Sequence, residues 1–166
     1  MNNRKQFQKQ INQNIKLATN LKRAKFGNDI CKRLYTEYKR TAEQSFLPGI
    51  EVLDNCLNLF DIFLNFNSLD DEKIMDLINE VEIIKPVTDS LTESEAIYAI
   101  NTIDAFRELL MFLSDEDADH IITLSELMTK CIESQILENN EQMVYDEVDN
   151  NPMLINEFNH QLVVIK

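Results

Sequence analysis

Hydrophobic residues recur along this chain at steps of three and four almost from end to end, the spacing that lines one face of an α-helix. From Arg4 to Leu21, Phe7, Ile11, Ile15 and Leu17 stand among Lys and Gln and predict a short amphipathic helix that needs a neighbour to be stable. The pattern resumes with Ala24, Ile30, Cys31, Leu34, Tyr35 and Tyr38 up to about Gln44. Gly27-Asn28-Asp29 interrupts it and marks either a kink or a new helix start. Phe46-Leu47-Pro48-Gly49 closes the segment, because Pro followed by Gly suits the centre of a type II turn. Residues 50–66 then carry Val52, Leu53, Cys56, Leu57, Leu59, Phe60, Phe63 and Phe66, an apolar face wide enough for an inner helix. Ser68 to Asp71 reads as a cap. The next helix, about Asp70 to Ile84, buries Ile74, Leu77, Ile78 and Val81 and ends before Pro86.

The stretch from Thr92 to Leu113 is the most apolar segment of helix length. Asn101, Asp104 and Glu108 fall on one narrow stripe, and Ile97, Ala99, Ile100, Ile103, Phe106, Leu109 and Leu110 cover much of the rest. So little polar surface predicts a central helix packed on several sides. Thr92-x-x-Glu95 fits a capping box at its start, and Ser114-x-x-Asp117 fits one for the following helix, about Glu116 to Glu138. Glu141 to Val148 predicts a short extra helical turn. Asn151-Pro152 supplies an N-cap followed by Pro at the first helical position, and Ile155, Phe158, Leu162 and Ile165 form the last stripe. Strand-like alternation is confined to the final residues, LVVIK, and no internal repeat is present. The fold predicted is all-α, a single-domain bundle of six to eight helices around a buried central one.

Composition agrees: 44% hydrophobic residues with two Gly and three Pro is the profile of a packed helical protein. The N-terminus lacks an apolar signal core, and no apolar run approaches the roughly 20 residues that span a bilayer, so a cytoplasmic protein without membrane association is expected. Cys31, Cys56 and Cys131 lie far apart in apolar stripes and read as buried free thiols. Charge changes the picture more. The net charge is −13, yet residues 1–45 hold eleven Lys or Arg against three acids, so the basic helical segment 1–45 is followed by an acidic body, residues 46–166, carrying −21. A basic hairpin packed on an acidic body explains this best. A separate nucleic-acid arm is the alternative, and it lacks aromatic platforms or a recognition motif.

RLYTEY at Arg33 to Tyr38, TIDAF at Thr102 to Phe106 and NPMLINEFNHQL at Asn151 to Leu162 together resemble the YjaG-like proteins, domain-of-unknown-function family 416. The matching positions are Arg33, Tyr35, Tyr38, Ile103, Asp104, Ala105, Asn151, Pro152, Glu157 and Gln161. Thr36 and Glu37 depart from the Pro-Asn that tends to follow the first Tyr in that family, and Trp is missing altogether, as in a divergent or shortened member. The resemblance implies an all-helical bundle of bacterial origin. It implies no activity, because the family is uncharacterised.

Candidate chemistry is sparse. Asp117-x-x-His120 and Glu157-x-x-His160 place an acid and an imidazole on one helical face, the spacing used twice in carboxylate-bridged dimetal bundles, so these four are the metal candidates. Arg107 is the only Lys or Arg between Pro86 and Thr129, amid ten acids. A structural ion pair with Asp104 or a neighbouring helix is expected, with an anion-binding pocket shared with Arg33, Tyr35, Tyr38, Tyr98 and Asp104 as the sharper alternative. No GxSxG, P-loop or Gly-rich cradle is present, and no cofactor is implied. Asp71, Glu72, Asp76 and Glu80, with Asp115, Glu116, Asp117 and Asp119, predict a negative surface able to bind a basic protein. The function expected is a non-enzymatic interaction module of immunity or antitoxin type. A metal-dependent or carboxylate-using enzyme and a nucleic-acid regulator acting through the basic segment are the alternatives.

Overall fold

A computed structural model of the chain describes residues 3–166. They form α1 (Asn3–Leu17), α2 (Asn20–Ala42), α3 (Ile50–Phe66), α4 (Asp71–Glu82), α5 (Glu93–Asp115), α6 (Ala118–Asn139), the single turn α7 (Tyr145–Val148) and α8 (Pro152–Val164), with no strand among the described residues. No described helix is long and apolar enough to cross a membrane. Helix α5 is central: it packs most extensively on α6, then on α2 and α4, and lightly on α3, while α1 and α8 cover the far side of α6. One buried cluster draws on every helix, from Phe7 and Ile11 through Phe60, Phe106 and Leu124 to Phe158.

The helix predicted across residues 4–21 stops at Leu17, and the next begins at once. The Thr19 hydroxyl accepts from Lys22 N (3.3 Å) and caps α2. Arg23 folds back over the end of α1, donating to the carbonyls of Ile15 (2.8 Å) and Lys16 (2.9 Å), where a helix dipole favours a cation. Of the kink or new helix start left open at Gly27-Asn28-Asp29, no new start occurs, since α2 runs continuously from Asn20 to Ala42. Gly27 is there for packing: a Cβ on it would lie 2.6 Å from Leu109 Cδ1 and 3.1 Å from Leu124 Cδ1, so the backbone of α2 rests directly on α5 and α6. At Gly49 the demand is conformational. Its φ of 83° and ψ of 11° are those of the third residue of a type II turn, and Tyr38 OH donates to the Pro48 carbonyl (2.7 Å) to pin the turn to α2.

In α3, Leu53, Cys56, Phe60 and Phe63 are buried, but Phe66 lies past the covered stripe and is 76% exposed, contrary to its place in the predicted apolar face. Helix α4 opens on Asp70, whose side chain accepts from Lys73 N (3.1 Å). The Thr92–Glu95 capping box forms as expected. Twelve residues of α5 are buried, which fits a helix packed on several sides. Its outward stripe is rotated by about one residue from the expected one. Asn101 turns inward and donates to Leu127 O (3.1 Å) and Cys131 Sγ (3.4 Å) on α6, which leaves Ile100 46% exposed. The Ser114–Asp117 box does not form. Glu116 adopts a left-handed conformation (φ 61°) that ends α5, Ser114 stays in its last turn, and Asp117 itself caps α6 by accepting from Asp119 N (2.9 Å). Asn151 caps α8 with Pro152 behind it, and Phe158 stacks on Phe7 of α1 at 4.1 Å and 12°. The terminal LVVIK continues as helix to Val164, with Val163 facing solvent.

The contact at Gly27 is tight enough to test. Gly27→Val is expected to lower unfolding stability in urea by about 2 kcal/mol, as overpacking of a filled core does. An unchanged midpoint would mean that α2 does not approach α5 and α6 this closely.

Candidate functional site

The residues with the most organised polar chemistry lie where α2, α6 and α8 meet. Arg33 presents a fork to Glu157, donating from Nη1 to Oε2 (2.6 Å) and from Nη2 to Oε1 (3.1 Å), and its Nε donates to Asp29 Oδ2 (3.0 Å). That same Asp29 oxygen receives His160 Nε2 (3.0 Å). On the inner side Gln161 Nε2 donates to Glu157 Oε1 (2.8 Å), and Ser125 Oγ donates to Gln161 Oε1 (2.6 Å). His160, Asp29, Arg33, Glu157, Gln161 and Ser125 thus form one hydrogen-bonded thread from solvent to core. None of its buried side-chain N or O atoms lacks a hydrogen-bond partner, which makes it a structural tie between helices.

His120 is the centre of a second cluster, at the corner between α5 and α6. Its Nδ1 lies 2.6 Å from Glu108 Oε2 and its Nε2 3.1 Å from Asp115 Oδ2. Carboxylates only accept, and a neutral imidazole has a single N–H, so the geometry calls for the doubly protonated ring. Burial opposes that charge, but the hydrogen bonds and charges of Glu108 and Asp115 outweigh it and raise the pKa above the ordinary histidine value. The structure therefore does not bring the four metal candidates together. Asp117 caps α6, His120 sits between Glu108 and Asp115, Glu157 is held by Arg33, and His160 pairs with Asp29. Among the described residues no group of three or more His, Cys, Asp or Glu is placed to hold a metal ion.

Nor are Arg33, Tyr35, Tyr38, Asp104 and Arg107, the alternative anion pocket, gathered around one space. Tyr35 OH donates to Asp54 on α3 (2.5 Å), Tyr38 to Pro48, and Arg33 to Glu157. Arg107 lies on the outward stripe of α5, 42% exposed, and pairs with its neighbour Glu108 (3.3 Å) in place of Asp104 or another helix. Asp104 is half-buried on that stripe, without an ion pair among the described residues. The three cysteines are buried free thiols, as expected, and burial pushes Cys56 and Cys131 up to about 12.

Asp71, Glu72, Asp76 and Glu80 are all exposed on α4, and Asp115, Glu116, Asp117 and Asp119 are exposed at the α5–α6 corner. None of the four on α4 has an ion-pair partner among the described residues. The basic segment is a packed pair of helices, not an arm. Arg4 pairs with Asp149 (2.6 Å) and Glu133, Lys32 with Asp61 (2.9 Å), and Arg33 with Glu157, whereas Lys9, Lys16 and Lys25 stay exposed. Two clefts flank α6. One of about 260 Å³ lies against α1, lined by Arg4, Phe7, Ile11, Thr129 and Glu133. The other, about 790 Å³, lies between α6, the first half of α5 and α7. Neither is visible in sequence, because both are spaces between helices whose order of packing the pattern does not state.

No family model and no curated protein matches the chain. Among solved structures, a DUF416 family protein from Shewanella baltica OS155 matches with a TM-score of 0.76 at 18% identity, over 93% of this chain and 83% of that one. The chain has the DUF416 fold. Identity at this level speaks for fold alone. Of the positions that carry the sequence resemblance, Arg33, Glu157 and Gln161 meet in the polar thread, and Ile103 and Ala105 are buried in α5. Within the DUF416 fold these positions serve helix packing in this chain.

The charged state of His120 sets a pH dependence. A pKa raised on folding gives stabilisation that is complete below the unfolded value of about 6.5 and is lost as pH rises through the higher folded value. The difference in urea stability between the parent and His120→Gln should be largest below about pH 6 and shrink above neutrality. A difference that stays constant to alkaline pH would show a neutral ring.

Proposed function

We propose that the protein is a non-enzymatic interaction module that binds a basic protein partner through its unneutralised carboxylates, in the manner of an immunity or antitoxin protein, in the cytoplasm of a bacterium. The observation that carries this reading is the outer face of α4, where Asp71, Glu72, Asp76 and Glu80 are exposed without ion pairs among the described residues. Carboxylates so placed do little for folding and generate a negative potential. The organised polar clusters, by contrast, are satisfied internally and offer no open nucleophile or base. Exposed acids of this kind accelerate encounter with a cationic surface more than they tighten the final complex.

The test is association with a cognate basic partner recovered from the host at low salt and then purified. Asp76→Lys/Glu80→Lys is expected to slow association about tenfold at low ionic strength while changing dissociation little, with the gap closing as salt rises. A host that yields no basic partner, or an association rate indifferent to both salt and the charge reversal, would contradict the reading.

A further inference from the structure

The larger cleft beside α6 differs from the open face of α4 in having a floor. Ile97 of α5 and Leu137 of α6 are half-buried in it, and Tyr145 of α7, 81% exposed, stands at its edge. Carboxylates line it: Glu93 at the start of α5, Glu133 of α6, which is paired with Arg4, Glu138 at the end of α6 and Glu141 just beyond. Glu138 is held in place by Ser94, which donates to it from both N (3.2 Å) and Oγ, and these bonds keep its pKa below the usual carboxylate range. Glu93 and Glu141 are exposed and have no ion-pair partner among the described residues. Lys130 is the one cation in the lining, and it is shared with the neighbouring cleft against α1.

An apolar floor with a fixed acid and two free acids at the rim is complementary to one class of occupant. It suits a segment that inserts an apolar side chain between flanking Lys or Arg residues. A volume of about 790 Å³ is in the range of pockets that hold a drug-sized molecule, room for an inserted side chain. We infer that this cleft is the docking groove for a basic segment of a protein partner, with Tyr145 closing over the inserted apolar residue. The inference rests on the reading of the chain as a binder of basic proteins and adds where the partner seats: the α4 acids attract it, and the groove holds it. Tyr is among the residues that most often anchor such contacts once the partner has covered it.

The experiment uses the full chain and two short fluorescent peptides of equal length, one of Lys interspersed with Leu and one of Lys with Ser. The Lys/Leu peptide should bind more tightly, and Glu93→Lys/Glu141→Lys should weaken it about tenfold or more. Tyr145→Ser should weaken the Lys/Leu peptide and leave the Lys/Ser peptide unchanged. At about 0.15 M salt, where long-range attraction is screened, Asp76→Lys/Glu80→Lys should change either affinity by less than about threefold. All the substituted side chains are exposed, and circular dichroism checks that each variant folds. If the groove variants bind as the parent does while the α4 variant loses affinity, the groove assignment is wrong and the acidic-surface reading survives. Failure of the Lys/Leu peptide to bind at low salt also overturns the groove, whereas the acidic-surface reading is decided separately by the host partner.

Discussion

The ion pair between Arg33 and Glu157 joins residues 124 positions apart and ties α8 to α2. Glu157 is 7% exposed, so its carboxylate has left most of its water and must recover that solvation from neighbours. Two guanidinium donors on one side and the Gln161 amide on the other supply it. Such a pair contributes little over a well-packed apolar alternative, but removing one member strands the other at a cost of about 3–5 kcal/mol. It is therefore a specificity device: α8 has one register on α2 in which all these groups are satisfied. Ser125 carries the same constraint to α6, and Arg4, paired with Asp149 and Glu133, repeats it at the other end of α1.

Closing the bundle in this way separates scaffold from surface. The tyrosines that resemble a binding motif are hydrogen-bonded into turns and neighbouring helices, the histidines are each held by carboxylates, and Arg107 finds its counter-charge one residue away. Carboxylates without an ion pair among the described residues lie outside, on α4, at Glu116, Asp117 and Asp119 of the α5–α6 corner and at Glu93 and Glu141 of the groove beside α6. Lys9, Lys16 and Lys25 on the first two helices stay exposed after Arg4, Lys32 and Arg33 have paired across to acids.

Helix existence was legible in the sequence wherever apolar spacing and a cap agreed, as at Asp70, Thr92 and Asn151. It failed where tertiary contact decides. Thr19 carries a weak cap signal, and only the folded-back Arg23 makes the end of α1 favourable. Gly27 looks like a break until α5 and α6 are seen pressing on it. The swap of Asn101 for Ile100 on the surface of α5 depends on a carbonyl of α6 that no periodicity reports. Site residues were harder still. Glu157 and His160 have a metal-like spacing, and what settles their roles is Arg33 and Asp29, each more than 120 positions away.

The central claim, that the buried charge of Glu157 is compensated by Arg33 and fixes α8 on the bundle, is tested most directly by a double-mutant cycle of Arg33→Met and Glu157→Met in urea unfolding. A coupling energy of about 2 kcal/mol or more, with the double variant more stable than either single one, is the predicted result. Coupling below about 0.5 kcal/mol would contradict it and place the two side chains in separate environments.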